Sequence, residues 1–260
     1  SGIADEVKLP APVLLLLVGM GIGFLPAMPA VELNPEIVML LFLPPLLYDA
    51  AFNISFRDFK TNINTISTLA VGLVFITTAG IAVVAHYLIP GMSWPLAFVL
   101  GAILSATDAV AAIGITRGLG LPHRTVTILE GESLVNDASA LIAYHFAVAA
   151  VSGIAFVWWK APLQFVIVLG GGFLTGFVMV QLLGFLLRFF RTNDMVIISL
   201  ILLMPFVTYL IAEYFHVSGV IAVVMLGLGM SRLSREKYPE RIKIQSRHFC
   251  SVIIFLLNAF

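Results

Sequence analysis

Four carboxylates, Asp49, Asp108, Glu132 and Asp137, fall inside long apolar runs of this 260-residue chain. A carboxylate near the centre of a bilayer costs several kcal/mol, about 2.5–3.5 or more depending on the scale, so such groups point to function by default. No Lys or Arg lies deep within any of the same runs. Asp137 sits near the middle of the run 125–151, where a rise of about 1.5 Å per residue puts it close to mid-membrane. Ser133, four residues earlier, shares its helical face, while Glu132 and Asn136 share a second face about 100° away. One helix thus presents a carboxylate, a hydroxyl and an amide at one level. Together with the polar tetrad Ser105-Ala106-Thr107-Asp108 in an earlier run, these groups supply the oxygen ligands that a small hard cation takes. Burial disfavours the charged form of a carboxylate, which makes a proton a competitor for the same site. One site with two mutually exclusive occupants is the minimum for exchange.

The tetrad has two readings. Ser, Thr and Asp compete with helical backbone bonding, and non-helical backbone at membrane depth is tolerated only where it lines a cavity or is buried in protein. A local break is one outcome. No Gly or Pro lies within it, however, and periodicity alone reads that run as continuous.

The elements that carry these groups follow from composition. The chain is 60% hydrophobic and 11% charged, with a mean hydropathy of +1.07, whereas soluble domains carry roughly 25% charged residues. Nine apolar runs follow, at 10–29, 36–52, 65–89, 95–115, 125–151, 162–187, 195–212, 217–231 and 249–260. The expected class is therefore an all-α polytopic membrane protein with about nine transmembrane segments. If they alternate, thirteen of the fourteen basic residues fall on one side and only Lys160 on the other. Cytoplasmic loops accumulate Lys and Arg, so residue 1 is expected on the cytoplasmic side, in the cell membrane. Residues 1–9 do not read as a signal peptide. Beginning at Ser1 and ending on the short run 249–260, where a span needs about 20 residues, the chain reads as truncated at both ends.

Zero net charge removes the basic field that nucleic acid would need, and the single Cys250 excludes a disulfide framework or a cysteine-based metal cluster. The stretch 232–248 is either a solvated connector or an amphipathic interfacial helix. Gly19 with Gly23, and Gly172 with Gly176, have the spacing that lets helix backbones approach, within the chain or across a dimer interface. Trp94, Trp158 and Trp159 read as interfacial anchors. His145, about 80° around the helix from Asp137, reads as a packed histidine.

Four strings, Leu43-Pro44-Pro45-Leu46-Leu47-Tyr48-Asp49-Ala50, Ala106-Thr107-Asp108-Ala109-Val110, Gly131-Glu132-Ser133-Leu134-Val135-Asn136-Asp137-Ala138 and His216-Val217-Ser218-Gly219-Val220-Ile221-Ala222-Val223-Val224, resemble the NhaP-type sodium/proton exchangers in order and spacing. Glu-Ser-x-x-Asn-Asp is the most specific of them, and the resemblance runs from about residue 10 to the end. It implies that Asp137 is the carboxylate shared by sodium and proton, with Ser133 and Thr107 as further metal ligands. Asn136 resembles the neutral member of the Asn-Asp pair. Asp108 resembles the acid that offsets helix-terminus dipoles where two unwound helices cross. Glu132 resembles an acid paired with an arginine on a later helix, and Asp49 the acid on the scaffold side of the ion path.

The resemblance further implies an NhaA-like inverted-repeat fold, incomplete in this chain, and a homodimer. Residues 1–260 would be a single transport domain: 10–89 scaffold and dimerisation helices and the start of the core, 95–187 the ion-translocating core, 195–260 further scaffold. The expected activity is electroneutral exchange of sodium or lithium for protons by alternating access, with the ions as substrates and no cofactor. A potassium/proton antiporter of the same fold is the alternative. A cation channel and an intramembrane aspartyl protease are weaker rivals: no carbonyl-filter string of the Thr-Val-Gly-Tyr-Gly type and no Gly-x-Gly-Asp partner for Tyr48-Asp49 occur. A non-enzyme is expected.

Overall fold

The computed structural model describes residues 19–21, 34–107, 121–152, 161–190 and 194–237. Among the described residues there is no strand. The helices are α1 (Pro35–Asn53), α2 (Phe56–Thr61), α3 (Ile63–Leu88), α4 (Trp94–Ser105), α5 (His123–Val151), α6 (Ala161–Phe189), α7 (Asp194–Tyr214) and α8 (Gly219–Lys237). Four of them, α3, α5, α6 and α7, are long and apolar enough to cross a membrane. Large side chains on their outer faces stay uncovered, Ile76 at 73% and Leu88 at 75% exposure, which suits a hydrocarbon solvent and would be unfavourable in water. The runs 10–29 (apart from 19–21, which are helical) and 249–260 lie outside the described residues, as do Asp108, Trp158, Trp159, Lys160 and positions 238–248.

Two runs end differently from the periodic reading. The run 95–115 is not one continuous helix: α4 stops at Ser105, whose Oγ donates to the Ala102 carbonyl at 2.9 Å, and Ala106 is extended with ψ 124°. Side-chain competition for the backbone thus prevails over periodicity in the tetrad. At the other end, α8 passes beyond its apolar part, Gly219–Leu233, and remains helical to Lys237. The hydrophilic stretch after residue 231 therefore begins as helix. In α3, Thr68–Leu73 forms a π-helical stretch where the helix lies against α5, a local widening often found at functional sites.

The helices fall into two groups. In the first, α3, α4 and α5 pack on one another; in the second, α8 packs against α1, α6 and α7. They meet along a narrower seam where α5 touches α1 and α8, and where short α2 touches both α5 and α8. The first group relies on small residues, with Ala82, Ala85 and Ala97 buried between α3 and α4, and Gly101 set against the backbone carbonyl of Thr78. In the second group, Gly172 faces the Ser218 carbonyl and Gly176 the Ala222 carbonyl of α8. That glycine pair therefore serves packing within the chain. Lipid tails are as apolar as leucine side chains, so close backbone approach and dispersion replace the hydrophobic effect in holding such helices together.

Trp94 opens α4 and stacks on His86, ring centroids 4.1 Å apart. The tight α3–α4 turn carries Gly91 at φ 81°, a conformation that favours glycine.

The glycine contacts can be tested on one helix. A Cβ at Gly176 would strike the Ala222 carbonyl oxygen, which cannot move aside, whereas a Cβ at Gly170 meets nothing within 4 Å. Gly176→Ala is expected to lower thermal stability in detergent by about 1–3 kcal/mol, and Gly170→Ala to leave it unchanged or slightly raised. Equal melting curves for the two variants would contradict this packing.

Candidate functional site

The premature end of α4 brings Thr107 against the middle of α5. Its side-chain hydroxyl donates to Glu132, 3.2 Å from Oε1. The Asn136 amide nitrogen donates to Thr107 Oγ1 and, one turn back along α5, to Glu132 Oε1 at 3.2 Å. Ser133 Oγ donates to the Thr107 backbone carbonyl at 3.2 Å. Thr107 is exposed, Ser133 half-buried, Glu132 buried at 9% and Asn136 fully enclosed.

Hydrogen-bond polarity fixes how this cluster is oriented. An ionised carboxylate only accepts, and a threonine hydroxyl has one proton. Glu132 takes that proton in a hydrogen bond, so Thr107 Oγ1 can accept from Asn136, whose two N–H groups serve Thr107 and Glu132. The Asn136 Oδ1 then faces away from both, buried and with no hydrogen-bond partner. A carbonyl oxygen has two lone pairs, so Thr107 O retains acceptor capacity beside the Ser133 bond. Thr107 O and Ser133 Oγ therefore lie together one turn before Asp137 on α5, whereas Asn136 Oδ1 is enclosed on another side. Asp137 itself is half-buried.

Gly131 explains how the acid at 132 can be buried. A Cβ there would run into the Ile66 and Phe59 side chains, so the glycine lets α2 and α3 press onto α5 one residue before Glu132. A glycine beside an acid in mid-helix was the sequence signal for this close approach.

Of the residues singled out in the sequence, the structure thus brings together Thr107, Glu132, Ser133 and Asn136. The Thr107–Glu132 bond had no sequence signal. Asp49 stands on α1, half-buried, where Asn53 Nδ2 donates to its Oδ2 at 3.1 Å and to its backbone carbonyl at 2.9 Å. His145 is exposed, edge-on to Tyr144 with centroids 5.8 Å apart, rather than packed as its position suggested.

The chain matches the profile of the family described as sodium/hydrogen exchanger, transmembrane, over residues 1–260. It belongs to the sodium/hydrogen exchanger family. An uncharacterized Na+/H+ exchanger of Escherichia coli (strain K12) is 36% identical over 99% of the chain and 49% of its own length. A sodium, potassium, lithium and rubidium/H+ antiporter of Bacillus pumilus is 37% identical over 95% of the chain and 38% of its length. A Na+/H+ antiporter of Aphanothece halophytica is 37% identical over 97% and 48%. The chain thus spans about half or less of these relatives. The structure of the sodium proton antiporter MjNhaP1 from Methanocaldococcus jannaschii superposes with a TM-score of 0.78, at 21% identity, covering 99% of this chain and 64% of that one. The exchanger-family chain therefore has the NhaP antiporter fold and is an integral membrane protein, and its relatives are transporters rather than enzymes.

The hydroxyl at 107 can be probed directly. Thr107→Val leaves Asn136 and buried Glu132 each short of a partner and is expected to cost about 1 kcal/mol of stability, while Thr107→Ser keeps the bonds. Thermal unfolding of the two variants side by side checks this, and a Val variant as stable as the Ser variant would show that the network is not formed.

Proposed function

We propose that the protein exchanges sodium or lithium for protons across the membrane, with Asp137 as the carboxylate that the two ions share. The observation that carries the reading is the contact of Thr107 with Ser133 and Asn136, in the stretch of α5 that carries Asp137, on a chain of this family. Ser133, the Thr107 oxygens and Asn136 serve as further ion ligands, and a compact oxygen set suits a small hard cation. Glu132 is a positioning residue here, since it holds the Asn136 amide. Asp108 and Asp49, the latter on α1, have supporting roles.

In this mechanism Asp137 releases its proton to the side on which the site is open, takes up the cation, and moves with its bundle before releasing it. The division of the helices supports assigning α3, α4 and α5 to the part that carries the ion and α1, α6, α7 and α8 to the scaffold, with the thin seam between them as the sliding surface. This draws the boundary after α5, because α6 packs on α7 and α8. One titrating carboxylate exchanged for one monovalent cation moves no net charge. The bias of the basic residues supports putting Lys60, Arg188 and Arg232 on the cytoplasmic side, and residue 1 with them. The complete protein carries an inverted repeat and works as a homodimer in the cell membrane.

A broader cation range is the second reading. It is favoured by the Bacillus pumilus relative, whose description extends to potassium and rubidium.

Two measurements on proteoliposomes of the complete protein test the proposal. Adding sodium or lithium is expected to dissipate an imposed pH gradient, with the rate reduced to background in Asp137→Asn; flux that persists in this variant at several pH values would falsify the assignment. Clamping the membrane potential at zero should leave the rate unchanged, and a rate that follows the potential would exclude one-for-one exchange. Potassium, run in parallel, separates the two readings of ion range.

A further inference from the structure

A groove of about 530 Å³ lies where α2 and the start of α3 face α6 and α8. Its chemistry changes along its length. On α6, Phe173, Phe177, Gln181 and Arg188 line it, at offsets of four, eight and fifteen residues, which keep them on one helical face. The face therefore passes from aromatic to amide to guanidinium. On α8 the lining likewise passes from apolar to basic, from Met225 through Leu228 to Arg232. Helices α6 and α8 run parallel, because Gly172, Gly176 and Gly184 of α6 meet Ile221, Ala222 and Leu233 of α8 in ascending order. Both basic ends consequently lie at the same end of the groove, and Lys60 of α2 joins them. Among the described residues that line it, none is acidic.

Three elements thus contribute one cation each to the mouth of a groove whose floor is apolar. Arg232 lies over the Phe56 ring, 5.6 Å from its centroid, a cation–π contact that holds the guanidinium at the mouth. Phe173 and Phe177 are about half exposed, at 53% and 48%, and therefore have surface left to cover. Along α6 the distance from Arg188 to Phe173 is about 22 Å at 1.5 Å per residue, comparable with an extended acyl chain. A free anion would use the cations and leave the phenylalanines unmatched. A peptide backbone would find few polar partners on a floor lined by Phe173, Phe177 and Met225. An amphiphile with an anionic head and acyl tails matches both ends, and basic pockets between helices at a membrane face bind such heads.

We propose that this groove is a binding site for an anionic phospholipid, with its phosphate between Lys60, Arg188 and Arg232 and an acyl chain along Phe177 and Phe173. The walls come from both sides of the seam, α2 and α3 on one and α6 and α8 on the other. A lipid held there binds one relative position of the two groups better than another and so biases them. That consequence rests on the exchange mechanism proposed above; the binding itself does not.

The test is native mass spectrometry of the complete protein with dioleoyl phosphatidylglycerol and, separately, dioleoyl phosphatidylcholine. The expected result is one retained phosphatidylglycerol per chain at this site, in preference to phosphatidylcholine. Each charge removed, in Lys60→Gln, Arg188→Gln and Arg232→Gln, should weaken retention about fivefold, the effect of one basic residue near an anionic headgroup. The charge-preserving variants Arg188→Lys and Arg232→Lys should keep it, and Phe177→Ala should weaken phosphatidylglycerol while leaving any binding of inorganic phosphate unchanged. Equal retention of both lipids, no response to the charge variants, or inorganic phosphate competing as well as the lipid would each overturn the proposal. Retention of a segment of the chain itself in the groove, seen as no lipid bound to the folded protein, would overturn it too. Loss of cation flux in Asp137→Asn leaves this binding untouched, so the two proposals fail separately.

Discussion

A helix that stops inside a bilayer exposes backbone groups that lipid cannot satisfy, and the end of α4 at Ser105 imposes that condition on everything around it. The polar atoms released there must be met by protein. Ser105 meets the Ala102 carbonyl from within the tetrad, and Ser133 reaches across from α5 to the Thr107 carbonyl. The break and the polar face of α5 are therefore parts of one structure. Without the break, Glu132, Ser133 and Asn136 would be polar groups at depth lacking partners from α4; without them, an extended residue at 106 would have no support.

The rest of the fold keeps these two pieces in register. Gly101 seats α4 on the backbone of α3 at Thr78, and Gly131 lets Phe59 and Ile66 press onto α5 beside Glu132. Both glycines act where a methyl group would already collide. This tight packing within the first helix group contrasts with the narrow seam to the second, where most of the large buried side chains, such as Leu183, Leu187 and Leu226, lie away from the site. Close packing is thus concentrated among α3, α4 and α5 and along α8, with less contact between the two groups.

Much of this was legible in the sequence because bilayer depth penalises each misplaced charge. Glu132 and Asn136, four residues apart, could be placed on one helical face, and their hydrogen bond at 3.2 Å follows from that spacing. The apolar runs located α1 and α3 to α8, since about 20 apolar residues have few other uses. The π-helical stretch Thr68–Leu73 was not legible, because widening by one residue leaves the hydrophobic pattern almost unchanged. Nor was the end of α4: whether Ser105 and Thr107 bond to their own helix or leave it depends on what α5 offers opposite them. The Thr107–Glu132 bond spans two elements, and no local periodicity contains it.

The same hydrogen-bond polarity says why position 136 holds an amide. Glu132 can only accept when ionised, and the one proton of the Thr107 hydroxyl is directed to it. The third member must therefore donate to both, as the Asn136 amide nitrogen does. A carboxylate in its place would set two acids against each other at buried positions, and one would have to hold a proton or lose its bonds. With an amide, both acceptors are served without a titrating group at 136, while the Asn136 oxygen is left buried without a hydrogen-bond partner. In the proposed exchange, the charge that changes is then left to Asp137. Neutrality of the proposed one-for-one exchange is in this way a consequence of how the break after α4 is satisfied, as well as of the number of acids in the chain.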